Sequence, residues 1–268
     1  MPRQSSRLAA QRTEPQVPVV AWERFRNSKG WRSAQGMHKL FVGPTGCGKT
    51  ILARMAARER RFVVVLGTKP RDSSLDGYVD EGYVRVDEWP PKHELVVENG
   101  KLKRKAWRMQ KDANGDIRLL LWPEIKNRDD LLRVRDVFAR FLDDAYNDGS
   151  WAIVVDETLW VAKRSGLGLD DRLSALAFMG RSSDITLLLC MQRPRYMDKI
   201  TWSSISDAYI FHTGVIDDVR ELAALGTEDR NQAALVVQNT LRGHQFLALP
   251  CRGQNEGWMV SEVNLGSA

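Results

Sequence analysis

The chain has 268 residues, of which 43% are hydrophobic and 28% charged, an ordinary globular balance with enough length for one large α/β core or two small ones. No apolar run approaches the ~18–20 residues of a membrane-spanning helix. The three cysteines (47, 190 and 251) and the four histidines lack metal-ligand spacing, so no zinc site is expected. The net charge of +6 suits a polyanionic partner.

Residues 1–20 carry Arg3, Arg7 and Arg12 among prolines and read as a flexible basic arm, with no apolar stretch of the kind a secretory signal needs. Residues 21–268 read as a single domain. Leu40, Phe41 and Val42 suit a buried parallel strand. Gly43-Pro44-Thr45-Gly46-Cys47-Gly48-Lys49-Thr50 follows and fits G-x-x-x-x-G-K-[ST], the phosphate-binding loop. Its glycines let consecutive N–H groups turn inward onto phosphate oxygens. The helix entered at Thr50 and Ile51 adds the positive end of its dipole. Lys49 is placed to reach the β- and γ-phosphates, and the Thr50 hydroxyl to ligate Mg²⁺. Upstream, Trp22, Phe25 and Trp31 read either as an aromatic lid packed near the nucleotide or sheet edge, or as an adenine-stacking platform.

Arg61–Pro70 reads as a central strand ended by Gly67 and Pro70, with Lys69 just past its carboxyl end, where open α/β sheets bind ligands. Residues 71–127 alternate short strand-like runs (83–86, 95–97, 117–122) with Asn99-Gly100 and Asn114-Gly115, the chemistry of hairpin turns. They read as a small antiparallel insertion. Its 101–111 stretch holds Lys101, Lys103, Arg104, Lys105, Arg108 and Lys111 with no acid. That is either a solvated hairpin face or a contact to a phosphate backbone. Leu131, Val134, Phe138, Phe141, Leu142 and Ala145 recur at helical spacing over 128–147.

Trp151–Val155 then ends in Asp156-Glu157, an apolar strand tipped by two acids, which is the Walker B pattern. Asp156 is placed to hold Mg²⁺ through water, and Glu157 to polarise the attacking water. The second acid argues for a hydrolysing NTPase over a nucleotide kinase. A helix over 170–179 leads through Gly180-Arg181 to the strand 185–191, which ends at Gln192-Arg193-Pro194. Gln192 either senses the γ-phosphate or merely caps its strand. Strands are expected at 207–211, 244–250 and 257–260, and helices at 217–225 and 228–237. His212 is read as structural. Cys47 in the loop and Cys190 in a strand favour a reducing compartment, hence a cytoplasmic protein, in the host cytoplasm if phage-encoded.

Gly43–Thr50, Ile153–Glu157, and Gly180-Arg181 followed by a strand into Gln192-Arg193-Pro194 resemble the FtsK/HerA superfamily of P-loop motor ATPases. The resemblance covers roughly 36–250 and is weakest over 71–127. It implies a P-loop NTPase of the additional-strand catalytic-glutamate type: an α/β fold with a mainly parallel sheet flanked by helices, and here a small β insertion. It also implies ATP and Mg²⁺ as ligands, a homo-oligomeric ring of five or six subunits, and double-stranded DNA as the track for translocation or packaging. ATP would lie between neighbours, with an arginine supplied in trans. Arg181 is the first candidate, with Arg193 and Arg195 behind it. Zot-like assembly ATPases, which act on protein partners, are similar in motif and form the alternative.

Overall fold

The computed structural model describes residues 17–32, 34–71, 73–98, 101–106, 114–223, 230–251 and 258–263. In chain order the elements are α1 (Trp22–Arg26), β1 (His38–Val42), α2 (Lys49–Arg58), β2 (Phe62–Leu66), α3 (Ser73–Asp80), β3 (Val84–Val86), β4 (His93–Glu98), β5 (Lys101–Ala106) and β6 (Ile117–Leu121). Then come α4 (Asp130–Asp148), β7 (Ala152–Val155), α5 (Thr158–Ala162), α6 (Asp170–Met179), β8 (Thr186–Met191), α7 (Lys199–Ser204), β9 (Ile205–Phe211), α8 (Ile216–Ala223), α9 (Arg230–Leu235), β10 (Gln245–Pro250) and β11 (Met259–Glu262).

Among the described residues nine strands form one sheet in the order β11-β10-β9-β1-β8-β7-β2-β6-β3. From β9 to β3 every pairing is parallel, while β10 and β11 run antiparallel at one edge. The central strands are buried on both faces, which is why they read as unbroken apolar runs. Their side chains alternate between two cores. Leu40 and Val42 join Ile153, Val155, Leu187 and Leu189 beneath α4 and α6. Phe41 joins Val154, Leu188, Cys190 and Tyr209 beneath α1 and α2. Ala53, Ala56 and Ala57 let α2 lie close on this second face. The fold is therefore three layers, helix–sheet–helix, as expected.

Helix α4 starts where local chemistry dictates. Asn127 Oδ1 accepts from the amides of Asp129 and Asp130, while Asp130 Oδ2 accepts from the amides of Lys126 and Asn127. It ends at Gly149, whose φ of +71° favours glycine.

The antiparallel insertion is smaller than the sequence implies. Among the described residues only β4 and β5 form a separate hairpin. The run at 83–86 becomes β3 and that at 117–122 becomes β6, and both extend the main sheet in parallel beside β2. Ahead of β3, α3 packs Leu75 and Tyr78 into the second core, an outlet that burial favours over a free-standing hairpin stack. The basic stretch coincides with β5 up to residue 106; its remainder lies outside the described residues. So does the predicted arm up to residue 16. Residues 18–20 are tied to β11: Val19 bridges Val260, Val20 N donates to Val260 O, and Val260 N donates to Pro18 O, both at 2.9 Å. The helix expected at 228–237 is α9 followed by a π-turn over Val236–Thr240.

Candidate active site

The loop after β1 needs its glycines. A Cβ on Gly43 would stand 2.6 Å from Cys47 Sγ and 2.8 Å from Phe211 Cβ. Gly48 holds φ +106°, a left-handed conformation that L side chains rarely adopt. The loop thus curls tightly against β9 and delivers Lys49 as the first residue of α2. Lys49 is buried, and its Nζ donates to Pro44 O at 3.1 Å, closing the loop on itself. Burial pushes the Cys47 thiol up, with the Lys49 charge only partly opposing it, and pushes the Cys190 thiol well up. Both stay thiols, packed rather than reactive.

Strand β7 carries Asp156 to the same end of the sheet. The Thr50 hydroxyl donates to Asp156 Oδ1 at 2.7 Å, across 106 positions of sequence. Glu157 follows at the start of α5, in a turn closed by Thr158 Oγ1 donating to Val155 O at 3.2 Å. Between β1 and β7 lies β8, the additional strand that the resemblance implies. It ends at Gln192, which is exposed at the carboxyl edge between the loop and the two acids.

A cavity of about 350 Å³ is bounded by Thr45, Gly46, Gly48, Lys49, Thr50 and Ile51 on the loop side. Asp156, Glu157, Lys69, Ser73, Ser74 and His244 complete its wall. Gly43, Pro44 and Cys47 shape the loop without lining the space. The Thr50 hydroxyl and Asp156 carboxylate are hard oxygen donors brought together on one side. That pair suits Mg²⁺, which takes one or two protein oxygens and fills its octahedron with water and phosphate. Among the described residues no group of three or more His, Cys, Asp or Glu is placed to hold a metal ion.

Two wall residues had no assigned role in the sequence. Lys69 Nζ lies 3.1 Å from Glu157 Oε1 and 3.7 Å from Asp156 Oδ2. A cation just past a strand that neighbours Walker B was its only signal. His244 Nδ1 lies 3.0 Å from Cys47 O, and since a carbonyl only accepts, Nδ1 carries the proton. Nothing in the local sequence marks it.

The arginines separate by position. Arg181 is exposed in the turn before β8, at the end of the sheet opposite Lys49 and Gln192. It is therefore outside its own chain's cavity. Arg193 and Arg195 sit at the carboxyl edge, facing the buried carboxylate of Asp218 at 3.8 and 3.7 Å. His212 Nδ1 donates to Val237 O at 3.1 Å, a structural bond. Phe25 and Trp31 are buried against Tyr209, so of the aromatic trio only Trp22 remains part-exposed.

Neither a protein-family model nor a curated protein matches the chain. Solved structures do. VirB4 of Thermoanaerobacter pseudethanolicus superposes with a TM-score of 0.55 at 10% identity, over 88% of this chain and 92% of that one. The genome packaging NTPase B204 from Sulfolobus turreted icosahedral virus 2, in complex with ATP-gammaS, gives 0.52 at 14% identity, over 86% of this chain and 99% of that one. The cytoplasmic domain of the Thermomonospora curvata Type VII secretion ATPase EccC gives 0.50 at 15%, over 85% of this chain but 25% of that one. At such identities the likeness is one of architecture alone: the chain shares with these ATPases a mostly parallel sheet flanked by helices, and carries an additional strand between its phosphate loop and its acidic strand tip.

Proposed function

We propose that this chain is an ATP-hydrolysing motor subunit of the FtsK/HerA kind, which assembles into a ring and moves double-stranded DNA. The observation that carries the proposal is the 2.7 Å contact between Thr50 and Asp156, with Lys49 and Glu157 in the same cavity. A triphosphate cradle and a hydrolytic carboxylate meet there.

In this reading the loop amides and Lys49 bind the β- and γ-phosphates of ATP. Thr50 and Asp156 hold Mg²⁺, which when bound neutralises charge on the phosphate oxygens. Glu157 takes the proton of the attacking water. Gln192, at the tip of the intervening strand, senses the γ-phosphate and orients that water. Arg181 serves the site of the next subunit, a role left open by its standing outside its own chain's cavity.

The DNA track rests on the basic balance of the chain and on what similar folds do: B204 packages a genome. Among the described residues no helix is long and apolar enough to cross a membrane. The Cys47 and Cys190 thiols and the need for ATP fit the cytoplasm.

The test is ATPase rate against protein concentration, with and without duplex DNA. A DNA-driven motor gives a rate per subunit that climbs with concentration, is raised by duplex, and loses that stimulation in high salt. Hydrolysis indifferent to DNA at every concentration would reject the DNA track in favour of a protein-remodelling ATPase of the Zot or EccC kind.

A further inference from the structure

The backbone fixes His244 before its ring makes any contact. A tight turn over 242–245 carries it: Gln245 N donates to Arg242 O at 2.9 Å, and Arg242 N donates back to Gln245 Oε1 at 3.1 Å. Gly243 takes φ +54° in that turn, where glycine is favoured. Val263, just past β11, donates its amide to His244 O at 3.1 Å. Residue 244 is therefore held from both edge strands. Because β10 runs antiparallel to β9, its beginning returns to the end of the sheet that carries the phosphate loop.

The ring then meets that loop. Nδ1–H donates to Cys47 O at 3.0 Å. A Cβ added to Gly48 would stand 3.4 Å from Nδ1 and 3.6 Å from Val263 Cγ2, so the ring lies directly against the Cys47–Gly48 peptide. Cys47 O and the Gly48 N–H belong to one planar trans peptide and point opposite ways across it. Holding the oxygen toward His244 turns the Gly48 N–H away from the ring. Without that bond two orientations of the peptide are open, because glycine accepts φ of either sign. Gly48 is the N-cap of α2, so its amide is one of the donors that a helix leaves unmet at its start. Among the described residues it has no acceptor.

We infer that His244 is a positioning residue for the phosphate loop: it locks the Cys47–Gly48 peptide in the orientation that presents the Gly48 N–H to a polyphosphate. The inference rests on the cradle reading proposed above. It gives the antiparallel edge strands a task beyond closing the sheet, since they brace the loop from the side of β1 opposite Asp156.

Calorimetric titration of the full chain with Mg²⁺ measures affinity for ATP and for inorganic tripolyphosphate in the wild type, His244→Asn and His244→Leu. Asparagine sets its amide nitrogen close to the place of Nδ1 and keeps the donor. Leucine keeps the bulk and has no donor. His244→Leu is expected to weaken both ligands by the same factor, ~10-fold or more, while His244→Asn stays within ~3-fold of the wild type. A packing role predicts the reverse order of the two variants. If His244→Leu fails to fold, His244→Ala takes its place against His244→Asn with the same expectation. Wild-type affinity in the variant without a donor, or equal losses in both variants, overturns the inference and leaves the cradle standing. A loss confined to ATP overturns it too, because the locked peptide faces phosphate in both ligands. Binding of neither ligand by the wild type overturns the cradle reading along with it.

Discussion

Lys69 Nζ and Glu157 Oε1 form an ion pair of 3.1 Å at the mouth of the cradle, with Asp156 Oδ2 at 3.7 Å from the same nitrogen. One ammonium thus faces both acids. Strand β2 places it there, since it pairs in parallel with β7 and both strands end at the same edge. Lys69 is 43% exposed, so the pair adds little to stability, and its value lies in where it holds Glu157. Lys69→Met is expected to lower kcat by ~10-fold with KM for ATP changed far less, as for an orienting group lost from the transition state. Lys69→Arg should keep most of the rate. Steady-state kinetics on the three proteins checks this, and an unchanged kcat in Lys69→Met would limit the pair to the nucleotide-free chain.

Glu157 shares a cavity with Lys49 and is the base proposed for the attacking water. Its carboxylate lines the cavity without taking part in the Thr50–Asp156 hydrogen bond. Glu157→Gln should retain ATP binding while hydrolysis falls by at least ~10²-fold, the loss expected for a general base. Nucleotide affinity by titration and turnover by phosphate release separate the two effects. Unchanged turnover would remove Glu157 from the mechanism.

The cradle was legible because its requirements are local. A phosphate loop needs Gly43 to Thr50 in one stretch, and Asp156-Glu157 must directly follow their strand. Long-range placement left no such trace. His244 reaches Cys47 only because β10 returns antiparallel beside β9, a pairing that no residue near position 244 announces. Lys69 was visible as a cation past a strand, but its partners depend on β2 lying next to β7. The runs at 83–86 and 117–122 show why strand-like segments do not reveal their neighbours. Turn residues suggested antiparallel pairing, yet burial against β2 and α3 drew both into the parallel sheet. Arg181 carries a different lesson. Its closeness in sequence to the strand of Gln192 hides the fact that it stands at the strand's opposite end.

That position makes the role of Arg181 testable by mixing. Arg181→Ala and Lys49→Ala should each abolish most ATP turnover, the first by removing the donated cation and the second by emptying the cradle. An Arg181→Ala subunit keeps its cradle, and a Lys49→Ala neighbour still offers Arg181. Equal mixing should therefore restore activity at about a quarter of the interfaces in a closed ring. Phosphate release from the mixture, against each variant alone, reads the result. A mixture as inactive as its components would deny Arg181 a role in trans, and Arg193 and Arg195 would be next for the same experiment.

Lys39 offers a pH test of the fold beneath the site. It lies on β1, 1% exposed, and its Nζ donates to Gly30 O at 2.6 Å and Tyr209 Oη at 3.1 Å, with Asp207 Oδ2 at 3.4 Å. Burial pushes its pKa from 10.5 down to about 8, against the pull of Asp207 and with a smaller push from Arg60. Between those two values the unfolded chain holds more protons than the native one, so this group makes stability rise with pH. Tyr78 and Tyr83 are pushed up by burial and act in the opposite sense only near and above 10. The Cys47 and Cys190 thiols, also pushed up, act in that opposite sense from about pH 8 but are common to wild type and variant. Over pH 7.5 to 9 the Lys39 contribution to the difference therefore amounts to about 1 kcal/mol. In denaturant titrations the stability of the wild type minus that of Lys39→Met should grow by that amount across the interval. A flat difference would mean that the Asp207 pair keeps the ammonium charged throughout, and that β1 carries a buried ion pair beneath the phosphate loop rather than a lysine ready to lose its proton.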